Sequence, residues 1–343
     1  MRNQRQVLTS IQAARGVAAL AVVLCHVGTV LGDPFGGALR AGHAGVDFFF
    51  VLSGFIIITV HREDVGRASL LVDYAWKRLV RIYPTYWIAT WAAVGLSSLG
   101  FVTLSNTGPG RLFTSLLLIP QHVQPVLGVA WTLEHEMLFY LAFGLLILNR
   151  AVGMSAFAVW ACFILITIPL NPTDSPWAHA DLLTGFLGSS YNLEFGLGIA
   201  VAMVARHYHV PCPSMLAAIG VTGLLFTGAA EDAGRISYLG QPARALFGIS
   251  SALAVWGLAA AERAGGLRAG RFLVLIGSAS YAIYLIHLPL LIGAGSFVAV
   301  KLLPVWIGVG ALAALGMAGG LFFHVTVEKP LLRVLAPQCT KSA

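Results

Sequence analysis

The sequence predicts an all-α, polytopic membrane protein of about ten transmembrane helices with both termini cytoplasmic. Three observations carry that expectation: the chain is short of charge, its apolar runs are repeatedly long enough to cross a bilayer, and its Lys and Arg fall unevenly on alternate connections. Only 10% of the 343 residues are charged while 58% are hydrophobic, and the mean hydropathy is +0.83. A water-facing surface needs roughly a quarter charged residues, so a soluble fold is excluded.

A span takes about 20 apolar residues. Runs of that kind fall at 11–31, 43–60, 83–101, 131–149, 152–169, 186–205, 213–230, 243–261, 272–296 and 303–327. The first follows MRNQRQ and superficially resembles a signal peptide, but it contains Arg15 and no clear small-residue cleavage site, so a retained first span is expected. The piece LFTSLLLIP at 112–120 is too short to span and reads as re-entrant or interfacial. Connections are short, so one transmembrane domain over 1–343 is expected, with no appended soluble domain. Gly316 and Gly320, one turn apart, read as a close helix-packing face.

Orientation follows from the positive-inside rule. With the N-terminus inside, Arg2, Arg5, Arg62, Arg67, Lys77, Arg78, Arg81, Arg150, Arg206, Arg263, Arg268, Arg271, Lys329, Arg333 and Lys341 are cytoplasmic. Arg40, Arg111, Arg235, Arg244 and Lys301 are outside. That bias explains the net charge of +7 without nucleic-acid binding. Four cysteines (Cys25, Cys162, Cys212, Cys339) lack CxxC spacing, so free thiols are expected, with no disulfide framework and no metal site.

A charge at mid-bilayer costs about 2.5–3.5 kcal/mol on insertion scales, which makes every such residue a functional candidate. The set is Arg15, His26, Asp47, Glu134, His135, Glu136, Glu194 and His287. Arg15 and His26 lie about three turns apart on one helix face, separated by roughly 16 Å. Asp47, Glu134 and Glu136 fall at the outer ends of their spans, level with His26. Tyr281, Tyr284 and His287 follow at three-residue steps on another span. Depth alone predicts a polar chamber opening outward; it does not say which helices are neighbours. A His beside carboxylates in a low-dielectric cavity suits a general base, whereas the plain structural alternative is polar groups joining helices to one another. The segment DYAWKRLVRIYPTYW (73–87) reads as a cytoplasmic loop ending at Pro84. Its Lys77, Arg78 and Arg81 are either a positive-inside anchor with an aromatic belt or a phosphate-binding surface for an anionic cosubstrate.

Six motifs in order resemble the membrane acyltransferase-3 family. They are Arg15 and His26 with ten residues between them; GVDFFFVLSGF with Asp47 and Ser53; and the K-R-x-x-R-I-x-P segment with Lys77, Arg78, Arg81 and Pro84. W-T-L-x-x-E-x-x-F-Y follows, with Trp131, Glu136, Phe139 and Tyr140; then S-Y-x-I-Y-L-x-H, with Ser280, Tyr281, Tyr284 and His287; and finally Glu328-Lys329-Pro330. The wording around PVLGVAWTLEHEM is most similar to the exopolysaccharide-modifying branch. Glu134 and His135 depart from the family pattern and leave open which carboxylate partners His26.

The resemblance implies transfer of an acyl group, commonly acetyl, from cytoplasmic acyl-CoA to a hydroxyl of an extracytoplasmic carbohydrate, free or lipid-linked, in a bacterial inner membrane. No bound cofactor is expected; acetyl-CoA is a cosubstrate. His26 is expected as catalytic base with Asp47 and Glu136, and Lys77, Arg78, Arg81 and Arg15 as the donor's phosphate contacts. Trp131, Tyr281, Tyr284 and His287 are expected at the acceptor or the oxyanion. Direct attack and a transient acyl-His26 are equally consistent with the residues. The rival readings are a proton-coupled transporter or flippase of a lipid-linked saccharide, and an acyltransferase acting on a lipid or secondary metabolite.

Overall fold

The structure, a computed structural model, describes residues 8–104, 107–171, 173, 182–298 and 304–335. Helices dominate these residues: α1 (Thr9–Val30), α2 (Ala44–His61), α3 (Leu71–Ser98), α4 (Pro109–Leu116), α5 (Trp131–Leu148), α6 (Arg150–Thr167), α7 (Tyr191–His207), α8 (Pro213–Asp232), α9 (Gln241–Arg263), α10 (Arg271–Ser278), α11 (Ser280–Val298), α12 (Val305–Phe323) and α13 (Lys329–Leu335). The chain is a multi-pass membrane protein: among the described residues seven helices are long and apolar enough to cross a bilayer, and the bent pair α10–α11 makes an eighth. Both chain ends, with Arg2, Arg5, Lys341 and Cys339, lie outside the described residues, as does Lys301. Cys25, Cys162 and Cys212 are free thiols.

Each of the ten expected runs is helical over most of its described residues, and three of them differ in form. The run at 83–101 belongs to a 28-residue helix that starts at Leu71 and passes through Pro84. The supposed basic loop is therefore the polar first half of α3, too charged to count as apolar span. A mid-helix proline forfeits one backbone hydrogen bond, which membrane helices tolerate where other groups compensate. The run at 272–296 is broken by a 67° bend at Ala279. There the Gly-Ser-Ala-Ser sequence offers the weak helix expected of a sharp kink, and Ala279 N–H closes α10 on the Leu275 carbonyl. The run at 186–205 contributes α7, of only 17 residues.

The chain divides into two compact units, residues 1–60 with 193–281, and residues 61–192 with 282–343. The first unit is held by close backbone approach. A Cβ at Gly220 or Gly257 would collide with the facing backbone of α9 or α8, and one at Gly45 with the Ala18 carbonyl of α1. Small residues let helices approach where lipid offers no hydrophobic drive for association. Between them sits a core of Ala18, Phe48, Val51, Leu52, Phe55 and Val255. The start of α1 is capped from α9: Glu262 accepts from the backbone N–H groups of Thr9 (2.8 Å) and Ser10 (2.7 Å) and from both hydroxyls. A carboxylate there satisfies orphan donors and complements the helix dipole.

In the second unit Asn149 caps α6 through the N–H groups of Ala151 and Val152, turning the chain from α5 to α6. The short interfacial piece is the 8-residue α4. The carbonyls at its C-terminal end, which a helix cannot satisfy internally, accept from α3 side chains: Ser115 from Tyr86 at 2.7 Å, Leu116 from Trp87 at 2.8 Å and Leu117 from Tyr83 at 2.9 Å. The expected close packing of the last span is present at Gly320, where a Cβ would strike Ile283 of α11.

Candidate active site

His26 lies half-buried on α1, and its Nδ1 is 3.0 Å from the Val22 carbonyl one turn back. A carbonyl only accepts, so Nδ1 carries the hydrogen and Nε2 of the neutral ring carries the lone pair. A carboxylate was expected to fix this tautomer; the helix's own backbone does so. Arg15 is half-buried on the same helix.

Asp47 is committed elsewhere in the first unit. Both its oxygens accept from Arg244 Nη1, at 2.6 and 2.7 Å, and both side chains are fully buried. Arg244 Nη2 also meets His43 Nδ1 at 2.9 Å, and His43 Nε2 meets Glu231 at 2.6 Å. Arginine only donates, so His43 accepts at Nδ1 and donates from Nε2. The second Glu231 oxygen accepts from Leu239 N–H at 3.1 Å. Tyr238 packs edge-on to His43 at 5.2 Å, and burial pushes its phenol up to about 12, which keeps the ring neutral. The result is one chain, Asp47–Arg244–His43–Glu231, tying the start of α2 to α8 and α9. The expectation that Asp47 assists His26 is thus replaced by a pairing that uses up both of its oxygens. Arg244, His43 and Glu231 were missed as site residues. The available signal was Arg244's place inside the apolar run 243–261, where a cation demands a buried acid. Glu194, also buried in this unit, lies against Gly248 of α9.

In the second unit Glu136 and Arg78 both meet Tyr140. Tyr140, one turn along α5, donates to Glu136 at 2.5 Å. The Arg78 guanidinium lies over the Tyr140 ring, 5.6 Å from its centroid, and donates to His61 Nε2 at 3.3 Å. Tyr74 donates to the Tyr140 carbonyl at 3.0 Å. Lys77 pairs with Asp73 at 2.5 Å on the exposed side. Arg81 pairs with the fully buried Glu328 at 3.4 Å, whose other oxygen holds His324 at 2.7 Å.

The expected acceptor and oxyanion residues prove more committed than free. The Tyr284 hydroxyl accepts from Thr132 at 2.9 Å and donates to the Val129 carbonyl at 3.0 Å, so its hydrogen is already used. His287 is fully buried, with Nδ1 on the Ile283 carbonyl at 3.0 Å, the same self-capping arrangement as His26. Trp131 is buried edge-on to His135. His135 donates to Asn192 at 2.9 Å and packs on Phe186, so that departure from the family pattern builds the core. Glu134 is buried with Oε1 lacking a hydrogen-bond partner. Tyr281 opens α11, half-buried, in the first unit. Among the described residues no cluster of three or more His, Cys, Asp or Glu could hold a metal ion.

The fold is that of a multi-pass, all-helical membrane protein, and comparison with known proteins places it among the membrane transferases of acyl groups. The acyltransferase domain of the acyltransferase-3 family matches residues 8–325, so the chain belongs to that family. It is 31% identical over 320 residues to the exopolysaccharide production protein ExoZ of Rhizobium meliloti (strain 1021), covering 87% of this chain and 94% of that protein. No solved structure matches.

Proposed function

We propose that this protein is an O-acyltransferase of the bacterial inner membrane. It moves an acyl group, acetyl in the first instance, from cytoplasmic acyl-CoA to a hydroxyl of an extracytoplasmic carbohydrate such as an exopolysaccharide. The observation that carries the proposal is the His26 ring, whose Nδ1 lies 3.0 Å from the Val22 carbonyl, selecting the tautomer that puts the neutral ring's lone pair on Nε2. Nε2 takes the proton of a sugar hydroxyl as its oxygen attacks the thioester carbonyl. The C–O bond forms, the C–S bond breaks, and the proton passes from Nε2 to the departing CoA sulfur. Throughout, the Val22 carbonyl steadies the imidazolium at Nδ1. The name of the relative supports exopolysaccharide as acceptor, and the family supports acyl transfer. The donor's phosphates fit the basic face of α3, where guanidinium groups recognise phosphate oxygens.

The test is thiol release from acetyl-CoA by purified protein, with and without an oligosaccharide acceptor. Acceptor-dependent release, lost in His26→Ala, is expected. A protein that moves a saccharide across vesicles while releasing no thiol with any acceptor would be a transporter instead. Intact-mass measurement after acetyl-CoA alone separates the two chemical routes, since only an acyl-His26 intermediate adds the acyl mass.

A further inference from the structure

We infer that His61 and Asp64 are positioning residues for the acyl donor's phosphates, acting through Arg78. The inference rests on the reading of the α3 basic face as the donor site. The three cations of that face differ in what they meet. Lys77 faces the Asp73 carboxylate, and Arg81 faces Glu328, itself held by His324 within the π-helical turn His324–Glu328. Among the described residues no carboxylate lies within ion-pair reach of Arg78; its polar contact is His61.

The protonation state of His61 follows from its two neighbours. Asp64 accepts from Nδ1 at 2.7 Å, so Nδ1 carries the hydrogen. Arg78 can only donate, so Nε2 carries the lone pair and the ring is neutral. A neutral acceptor orients the guanidinium without cancelling its charge, which a directly paired carboxylate would do. Asp64 stands one group back and pins the tautomer, the usual arrangement when a carboxylate orients a histidine that serves another centre. Tyr74 packs edge-on against the ring at 5.0 Å. The guanidinium rests on the Tyr140 ring by one face, leaving its edges for hydrogen bonds. One of those donors, Nε–H, is buried with no partner. A buried orphan donor is costly, and an anionic oxygen of the ligand relieves it. The two arginines are therefore unequal: Arg81 has its charge matched by Glu328, and Arg78 is held ready with its charge unmatched.

The experiment is calorimetric binding of CoA, and of phosphate-free pantetheine, to the purified full-length protein. His61→Ala is expected to weaken CoA binding roughly tenfold and to leave pantetheine unchanged. His61→Gln, which still offers Arg78 an acceptor, should restore most of the loss. Adding His61→Ala to Arg78→Ala should cost nothing further, because the first acts through the second. Equal losses for pantetheine, or losses that add, would overturn the inference. Should His61→Ala fail to fold, Asp64→Ala at a partly exposed position serves, and unchanged CoA binding there overturns the role of the pair. A wild type that binds no CoA would remove the donor-site reading itself, and with it this inference.

Discussion

Replacing Asp47 by Asn tests whether that carboxylate is chemistry or architecture. Asp47 and Arg244 are both fully buried, and Asp47 takes two short hydrogen bonds from one guanidinium nitrogen. Removing the acid strands a buried cation, and breaking a buried pair in this way costs about 3–5 kcal/mol. Replacing both partners by apolar residues of similar volume, Asp47→Leu with Arg244→Met, removes the stranded charge. What remains is His43 Nδ1 without its donor, an orphan acceptor worth about 1–3 kcal/mol. The double variant should therefore be more stable than Asp47→Asn alone. If the chain Asp47–Arg244–His43–Glu231 is architectural, the double variant also keeps transfer activity. The assay is thermal unfolding of purified protein followed by size-exclusion, run beside acceptor-dependent thiol release. A stable double variant with no activity, or an Asp47→Asn variant as stable as wild type yet inactive, would refute the architectural reading and return Asp47 to the catalytic group.

The remaining predictions concern the proposed base, the proposed donor site, the fold and the acceptor. His26→Ala should abolish transfer while unfolding at the wild-type temperature; near-normal turnover would end its role as base or nucleophile. Arg78→Ala should raise the acyl-CoA KM by roughly tenfold with little change in kcat, whereas a fall in kcat alone would mark a residue acting only in the transition state. The same KM should rise with ionic strength, because phosphate–guanidinium attraction at a half-exposed site is screened. Glu262→Ala should destabilise the protein by about 1–2 kcal/mol through loss of the α1 cap, read as a lower unfolding temperature without loss of acyl-CoA binding. Mass analysis of cell-surface polysaccharide before and after deletion should show loss of one acyl increment; an unchanged polysaccharide would move the acceptor to another class.

The helices were largely legible in the sequence because their signal is local. Every expected apolar run is helical over most of its described residues, and the short piece at 112–120 is a short helix and its C-terminal turn. What escaped depends on partners far along the chain. The helix α3 extends back through the charged segment 71–82, and nothing in a hydropathy pattern distinguishes a charged loop from a charged helix start. The bend at Ala279 was present in the letters G-S-A-S, but the run around it is apolar enough to read as one span. The position of His26 was readable; its partner was not, since a backbone carbonyl four residues back has no signature beyond the helix itself.

The acid–base bookkeeping of the embedded charges explains why depth misled the assignment of Asp47. Depth groups residues by level, and by level Asp47 and His26 belong together. Pairing is decided by charge, and a carboxylate in a low-dielectric interior is stabilised far more by a guanidinium than by a neutral imidazole. Once Arg244 is counted as buried rather than as a loop cation, Asp47 has its partner. Neutrality is what the proposed base at Nε2 requires. A carboxylate at Nδ1 would select the same tautomer, as Asp64 does for His61, but it would also favour the imidazolium more strongly. A carbonyl partner orients the ring while favouring the charged form less strongly. The pairing of Asp47 with Arg244 thus leaves Nδ1 of His26 to the backbone of its own helix.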